Sequence, residues 1–278
     1  MTQPKGTLII VGGHEERTRE GDRAILAEVA GRTNGHKPLV IVTIASEAHP
    51  DWGEDYARVF RELGVHQPRV LPLRSREEAQ DDHVVGQLAD AAVVFFTGGD
   101  QLRITSQLGD SPVYRCLHEL YRGGATIAGT SAGAAAMSET MVVGGEADAS
   151  PGISALRMAP GLGLLEGVVV DSHFAERGRF GRLLGAVAQN PANLGLGLDE
   201  DTAVLVERGQ RFRVLGSGAA YVLDGATIGY SSLSEAQAEG VLTIHGVTVH
   251  VLGKGDRFDL GQRQPLHPTA DAFEERAS

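Results

Sequence analysis

The stretch ATIAGTSAGA, residues 125–134, decides how the fold of this chain is interpreted. A short apolar strand runs directly into Gly129-Thr130-Ser131-Ala132-Gly133. The pattern G-x-S-x-G behind a strand is typical of a nucleophile elbow, a turn so tight that the neighbours of its serine must lack bulk. The same letters also fit an ordinary strand-to-helix turn with an idle serine. The pentapeptide alone therefore leaves both interpretations open.

Short apolar runs alternate with amphipathic runs on both sides of this stretch. The apolar runs have strand length, and the amphipathic runs have helical spacing. Strands are predicted at TLIIVGG, PLVIVTIAS, PRVLPL, AAVVFFTGGD, ATIA and GVVVDSHF, and helices at DRAILAEVAGR, YARVFRELG, DDHVVGQLAD, SPVYRCLHELYRGG and RFGRLLGAVAQNP. Strands that are apolar along their whole length and separated by helices predict an α/β fold, in which helices sandwich a mostly parallel sheet.

The last third of the chain is rich in β-structure. RFRVLGSGAAYVLDG, TIGYSS and VLTIHGVTVHVLG are strand-like runs broken by glycine turns. No Pro/Ser-rich linker precedes them, so we expect one domain over residues 1–278. A β-rich C-terminal extension of about 201–262 would then pack as antiparallel strands on the same sheet. A polar tail is expected at about 266–278.

Composition excludes several classes of protein. The 278 residues carry a net charge of −11, which argues against nucleic acid as a partner because phosphate binding needs a basic surface. Cys116 is the one cysteine, so no internal disulfide is possible. No run approaches the roughly 18 apolar residues of a membrane helix, and the N-terminus has no basic region or cleavage site. We therefore expect a cytoplasmic protein that binds no membrane.

Chemistry-bearing residues follow four predicted strands, VVFFT, ATIA, GVVV and LGLGL. The carboxyl ends of parallel strands form one ligand-binding edge. Ser131, His173 and Glu200 each follow such a strand, and a serine hydroxyl needs a base that is itself held by an acid. We expect these three as nucleophile, base and acid, with Glu146 and Asp148 as rival acids. His173 alone could equally be an ordinary strand-end histidine.

Backbone amides at the same edge could form an oxyanion hole. The amide of Ala132, together with that of Gly99 or its neighbour Gly98 in the segment GGDQ, would face the serine. A tight turn without function is the alternative for GGDQ.

Three arginines follow the predicted base at the start of a helix: Arg177, Arg179 and Arg182. A solvated basic helix face is the usual meaning of such a run. Arginine forks and helix N-termini also bind carboxylates, and these arginines would stand at the ligand-binding edge. Acyl-transfer chemistry beside an anion clamp suggests a peptidase that grips a carboxylate.

The segments FFTGGDQLRI, GGATIAGTSAGAAAM, VDSHFAERGRFGRL and LGLGLDEDTAVLVE together resemble the cyanophycinases, which are peptidase E-like serine peptidases. The resemblance implies a flavodoxin-like fold related to class I glutamine amidotransferases, a homodimer, and no cofactor or metal. It implies an exopeptidase that hydrolyses cyanophycin, a poly-aspartate carrying arginine in isopeptide linkage, to β-Asp-Arg dipeptides. It also implies a set of substrate-binding residues: Gln101, Asp171, Ser172, Arg177, Arg179 and Arg182.

One residue departs from that pattern. Ser172 stands where cyanophycinases commonly carry glutamine, so the dipeptide specificity stays open. Within the pocket we expect the arginines to bind carboxylates and Asp171 to bind a substrate guanidinium. Three alternatives remain: an aspartyl dipeptidase of the peptidase E type, a glutamine amidotransferase-like domain (which would need cysteine at position 131), and a non-catalytic module that binds a small anion.

Overall fold

The computed structural model describes residues 6–33, 37–46, 49, 51–71, 73–144, 156–235 and 241–266. Its helices and strands, in chain order, are β1 Thr7–Val11, α1 Ala24–Gly31, β2 Leu39–Val42, α2 Trp52–Glu62, β3 Arg69–Leu71, a 3₁₀ helix Glu78–Gln80, α3 Asp82–Leu88, β4 Val93–Phe96, α4 Gln101–Leu108, α5 Pro112–Gly123, β5 Thr126–Thr130, α6 Ala132–Ala135, β6 Thr140–Gly144, β7 Arg157–Pro160, β8 Val168–Asp171, α7 Phe180–Gln189, β9 Leu194–Leu198, β10 Thr202–Glu207, β11 Arg211–Gly216, β12 Ala220–Asp224, β13 Tyr230–Ser231, β14 Ile244–His245, β15 Thr248–Leu252, β16 Arg257–Asp259 and β17 Gln264–Leu266.

A central sheet runs in the order β17-β16-β11-β10-β1-β5-β4-β2-β3. Its strands β1, β5, β4, β2 and β3 are parallel, and β10, β11, β16 and β17 extend it antiparallel. The order β3-β2-β4-β5 repeats the 2-1-3-4 order of flavodoxin-like sheets, with β1 in the fifth place. The prediction of an α/β fold with a parallel sheet and a β-rich C-terminal part is confirmed.

Helices cover both faces of the central sheet. Side chains of α1 and α2 pack on one face, with Phe60 and Leu26 fully buried against β2 and β4. Side chains of α3, α4 and α5 pack on the other face, where Ile104, Leu108 and Leu117 are buried. The strands are buried on both sides, which explains why their sequences are apolar throughout.

A second sheet, β15-β12-β9-β8, lies over the face that α3–α5 share. β8 and β9 are parallel, and β12 and β15 are antiparallel to their neighbours. The expectation that the extension packs wholly on the central sheet is therefore wrong, since β12 and β15 join this second sheet. The sequence LGLGL of β9 explains how this second sheet packs closely on both of its faces. Its leucines face the core, while Gly195 and Gly197 contact α7 and Phe174 so closely that a Cβ would lie 2.9 and 2.6 Å from them.

The turn that follows β5 is tightly packed against neighbouring backbone. A Cβ on Gly129 would lie 2.7 Å from the backbone of Gly133, and one on Gly133 would lie 2.7 Å from the carbonyl of Phe96 in β4. Contacts below 3 Å cannot be accommodated by backbone atoms, so both positions of the G-x-S-x-G pattern require glycine.

The described residues contain no helix with the length and apolar character needed to cross a bilayer. Of the polar tail predicted at about 266–278, all but Leu266 lies outside the described residues. The division into one domain stays a prediction.

Candidate active site

Ser131, His173 and Glu200 form a hydrogen-bonded chain at the carboxyl ends of the parallel strands. Nε2 of His173 lies 2.8 Å from Oγ of Ser131, and its Nδ1 lies 2.7 Å from Oε1 of Glu200. Ser131 follows β5, His173 lies two residues after β8, and Glu200 lies in the turn from β9 to β10. With the hydroxyl donating to Nε2 and Nδ1–H donating to the carboxylate, this arrangement suits proton transfer from a serine hydroxyl.

The end of β1 holds all three segments through consecutive carbonyl oxygens. The N–H of Ser131 donates to Val11 at 3.0 Å, that of His173 to Gly12 at 2.8 Å, and that of Asp201 to Gly13 at 2.9 Å. One piece of backbone therefore fixes the relative positions of serine, imidazole and carboxylate.

The backbone is strained at two of these three residues, Ser131 and His173. Ser131 has φ 54° and ψ −109°, and His173 has φ 48°. Residues other than glycine rarely adopt a positive φ. Such conformations persist only where the surroundings impose them, and they concentrate at functional sites. The hydrogen bonds to the end of β1 impose them here.

His173 is almost fully buried, at 3% exposure. Burial lowers the pKa of this imidazole below its usual value, since the charged form loses hydration, while the hydrogen bond to Glu200 acts in the opposite direction. The net shift is downward. At neutral pH the ring is therefore neutral and able to accept a proton.

A second histidine shares the carboxylate of Glu200. Nδ1 of His14 lies 3.2 Å from Oε2, and the two imidazoles meet edge to face with centroids 5.2 Å apart. The His14 side chain is 68% exposed. Sequence analysis did not single out this residue.

Two backbone amides near Ser131 are free to bind a ligand. Within the described part of the chain, the N–H groups of Gly99 and Ala132 donate to no protein acceptor. Gly99 has φ +134°, and a Cβ there would lie 1.9 Å from the carbonyl of Ala45. The N–H of Asp100 donates to that same carbonyl at 3.1 Å, which fixes the loop.

A cavity of about 620 Å³ opens beside the serine. Its described lining includes three arginines, Arg17, Arg103 and Arg177, and one residue with a carboxylate, Asp100. Arg17 lies 5.3 Å from the ring centroid of Tyr56. Among the charged side chains of the lining, arginines outnumber carboxylates, whereas the whole chain is negative, and this difference favours an anionic ligand.

Sequence analysis missed most of this lining. Arg17 follows the end of β1, Arg103 lies in α4, and Trp52, stacked on His49 at 4.3 Å, opens α2. Arg17 follows a strand end as His173 does, so the same rule about carboxyl ends could have identified it. No comparable local signal marks Trp52, because its place depends on how α2 packs.

Asp171 does not face the cavity. It is 2% exposed, and Arg182 binds both of its oxygens, Nε to Oδ2 at 2.6 Å and Nη2 to Oδ1. Nη1 of Arg179 adds a contact at 3.3 Å. Two guanidinium groups of the chain already hold this carboxylate, so a substrate guanidinium would have to displace them, and the role expected of Asp171 stays a prediction. Arg179 and Arg182 are held by Asp171, and the binding of substrate carboxylates by all three arginines likewise stays a prediction.

Of the other residues predicted to bind substrate, only some line the cavity. Arg177 is exposed and lines the cavity, whereas Ser172 is buried and its carbonyl accepts a hydrogen bond from Arg179 at 2.6 Å. Burial lowers the pKa of Arg179 to about 10. The side chain of Gln101 donates to the carbonyl of Val142 at 2.9 Å and is not part of the cavity lining. The rival acids Glu146 and Asp148 lie outside the described residues.

A buried carboxylate supports the floor of the cavity. Glu15 is 3% exposed and accepts hydrogen bonds from the hydroxyls of Tyr56 and Thr130, the latter at 2.6 Å. Thr130 immediately precedes Ser131, so this contact ties the elbow to α2. Burial and the nearby carboxylate of Glu15 raise the pKa of Tyr56 well above its usual value, which keeps its hydroxyl protonated as a donor.

Comparison with known proteins shows which protein family this chain matches. The model of peptidase family S51 matches residues 8–214. A cyanophycinase of Nostoc sp. is 39% identical over 271 residues, covering 96% of this chain and 90% of the relative. One of Synechococcus elongatus is 33% identical over 265 residues, covering 95% and 82%. The crystal structure of a peptidase from an acI-B1 actinobacterium has a TM-score of 0.68 at 22% identity, covering 92% and 98%, and supports the fold.

The close contact between Gly13 and His173 allows us to predict the effect of one substitution. A Cβ on Gly13 would lie 2.3 Å from Cε1 of His173, and φ is +111° there. We expect Gly13→Ala to displace the imidazole from Ser131 and to reduce kcat at least about a hundredfold, since misplacement of a catalytic group by 1 Å costs that much. The measurement is kcat together with the thermal midpoint. Gly86→Ala, where nothing lies within 4 Å of the new Cβ, is the control. Unchanged kcat in Gly13→Ala would contradict this role of the β1 end.

Proposed function

The chain belongs to peptidase family S51, and on this premise we propose that it is a serine-type exopeptidase that hydrolyses cyanophycin to β-Asp-Arg dipeptides. The observation that carries the proposal is the chain of hydrogen bonds from Ser131 through His173 to Glu200 beside a cation-lined cavity. The cyanophycinases that match nearly the whole chain support the choice of substrate.

We assign the attack on the peptide carbonyl to Oγ of Ser131. Nε2 of His173 accepts the hydroxyl proton as the new C–O bond forms, and it then donates this proton to the leaving amine. Water attacks the resulting acyl-enzyme by the same route in reverse. The lowered pKa of His173 supports this role, because a buried neutral imidazole is ready to act as a base.

Glu200 and two backbone amides complete the proposed machinery. The carboxylate of Glu200 holds the proton of His173 on Nδ1, so that Nε2 presents its lone pair to the serine, and it stabilises the imidazolium that forms. The amides of Gly99 and Ala132 would donate to the oxyanion of the tetrahedral intermediate. One such donor is typically worth about 3–4 kcal/mol of the activation barrier.

The cations of the cavity match the carboxylates of the substrate. Arginine joined through its α-amino group to an aspartate side chain keeps a free carboxylate and a free guanidinium. Within the described residues, neither Arg17 nor Arg177 is paired with a carboxylate. We assign the binding of substrate carboxylates to these two arginines.

Asp100 replaces Asp171 in this proposal as the acid for the substrate guanidinium. It caps α4, with Oδ1 accepting from the N–H of Leu102 at 2.8 Å, and its carboxylate stands at the cavity. A capping carboxylate has lone pairs left for a guanidinium, whereas both oxygens of Asp171 are held by Arg182.

Two further properties are proposed from the resemblance. We propose that the protein is a homodimer and that it acts in the cytoplasm, where its buried Cys116 would remain reduced. Sedimentation equilibrium that returns the mass of a single chain would contradict the dimer.

Product analysis tests the proposed function. The wild-type protein is incubated separately with cyanophycin, with plain poly-aspartate and with the dipeptide Asp-Leu, and the products are identified by mass spectrometry. We expect β-Asp-Arg from cyanophycin and slower or no release from the other two. Ser131→Ala should lose roughly 10⁴–10⁶ in kcat while it stays folded. Preferred cleavage of Asp-Leu would instead support the aspartyl dipeptidase, and no hydrolysis of any substrate would support a binding module.

Substitutions at the cavity separate carboxylate binding from guanidinium binding. Asp100→Asn keeps a capping side chain and removes the charge, so we expect it to lower kcat/KM for cyanophycin more than for poly-aspartate. Arg177→Ala should weaken binding of both polymers by about 1.5–3 kcal/mol, the value of a charge-assisted hydrogen bond. Arg58→Ala, which removes an exposed arginine of α2 that is paired with Asp55, is the control. If Asp100→Asn affects both polymers equally, the assignment of the guanidinium is wrong.

A further inference from the structure

His14, His173 and Glu200 bring three metal-binding groups together at the mouth of the cavity. One ligand atom from each residue can be chosen so that all three atoms lie within 4.8 Å of one another. His14 and Glu200 are already in contact, with Nδ1 and Oε2 3.2 Å apart. His14 plays no part in the proposed reaction, so its place on the carboxylate is not explained by catalysis.

The backbone at His14 turns this side chain toward the carboxylate. His14 has φ 47°, a conformation that costs free energy for any residue with a Cβ. It directly follows Gly13, whose carbonyl accepts from Asp201, next to Glu200. The side chains of His14 and Glu200 are 68% and 27% exposed, so a small ion can reach both from solvent.

We propose that these three residues form an inhibitory site for Zn²⁺. Zinc prefers imidazole nitrogen and carboxylate oxygen at about 2.0–2.2 Å and takes tetrahedral geometry. Two such ligands on one tetrahedral ion lie roughly 3.3 Å apart, which is close to the separation of His14 and Glu200. His173 supplies the third ligand after a small movement of Glu200, and a solvent molecule completes the coordination.

Zinc at this site stops catalysis through the tautomer of His173. The nitrogen nearest the carboxylate is Nδ1, and its proton must leave before it can bind the metal. A neutral imidazole keeps one proton, which then resides on Nε2, the atom that faces Ser131. Nε2 no longer has a lone pair for the serine proton. The inhibition rests on the proposed serine mechanism, whereas the binding of zinc does not.

Calorimetry on an inactive protein tests the site without turnover. Zn²⁺ is titrated into Ser131→Ala and into Ser131→Ala combined with His14→Ala. We expect one ion to bind per chain and the loss of His14 to weaken its binding at least about tenfold. His49→Ala in the same background removes another cavity histidine, which stacks on Trp52, and should leave the affinity unchanged. Equal zinc affinity with and without His14 would overturn the site.

Hydrolysis measured in buffers of fixed free Zn²⁺ tests the inhibition. We expect zinc to inhibit the wild-type protein reversibly, and the zinc concentration for half-inhibition to rise at least about tenfold in His14→Ala, with each protein normalised to its own metal-free rate. Mg²⁺, which prefers oxygen ligands, should not inhibit. One bound zinc that leaves hydrolysis unchanged, or equal inhibition of wild type and His14→Ala, refutes the proposal. If the metal-free wild type hydrolyses nothing, the proposed function fails, and the calorimetry still decides the site.

Discussion

The candidate site depends on three consecutive carbonyl groups at the end of β1. Val11, Gly12 and Gly13 accept hydrogen bonds from Ser131, His173 and Asp201, residues that are far apart in the chain and belong to different layers. The central sheet supplies the serine, and the second sheet supplies the imidazole and leads into the turn with the carboxylate. Because β1 is buried between β5 and β10, its end is rigid. Rigidity there is what permits the positive φ angles of Ser131 and His173.

Local electrostatics at the site run against the charge of the whole protein. The chain carries a net charge of −11, yet the described lining of the cavity includes three arginines and one aspartate. The two arginines nearest in sequence to the cavity's Arg177 are neutralised by Asp171, which is buried with them. A buried carboxylate with one or two close guanidinium groups is a structural unit, because an unpaired charge in that place would be costly. In our proposal the binding of substrate carboxylates therefore falls to Arg17 and Arg177, which line the cavity.

Much of the fold could be predicted from local pattern. Apolar runs gave the parallel strands, and the small residues around Ser131 indicated the elbow, whose glycines indeed touch neighbouring backbone. The second sheet could not be predicted, because pairing of β9 with β12 and β12 with β15 is set by contacts distant in sequence. The surroundings of Asp171 could not be predicted for a related reason. Its spacing to Arg179 and Arg182 shows that the three can meet, but only burial shows that they neutralise one another.

The most direct measurement is the pH dependence of covalent modification by a sulfonyl fluoride, with the adduct located by mass spectrometry. We predict one adduct, on Ser131, and a rate of modification that falls on the acid side with a midpoint below 6.5, the usual pKa of histidine, because burial lowers the pKa of His173 and protonation removes the base. An adduct on another residue, or a modification rate on Ser131 that does not change with pH across this range, would contradict it.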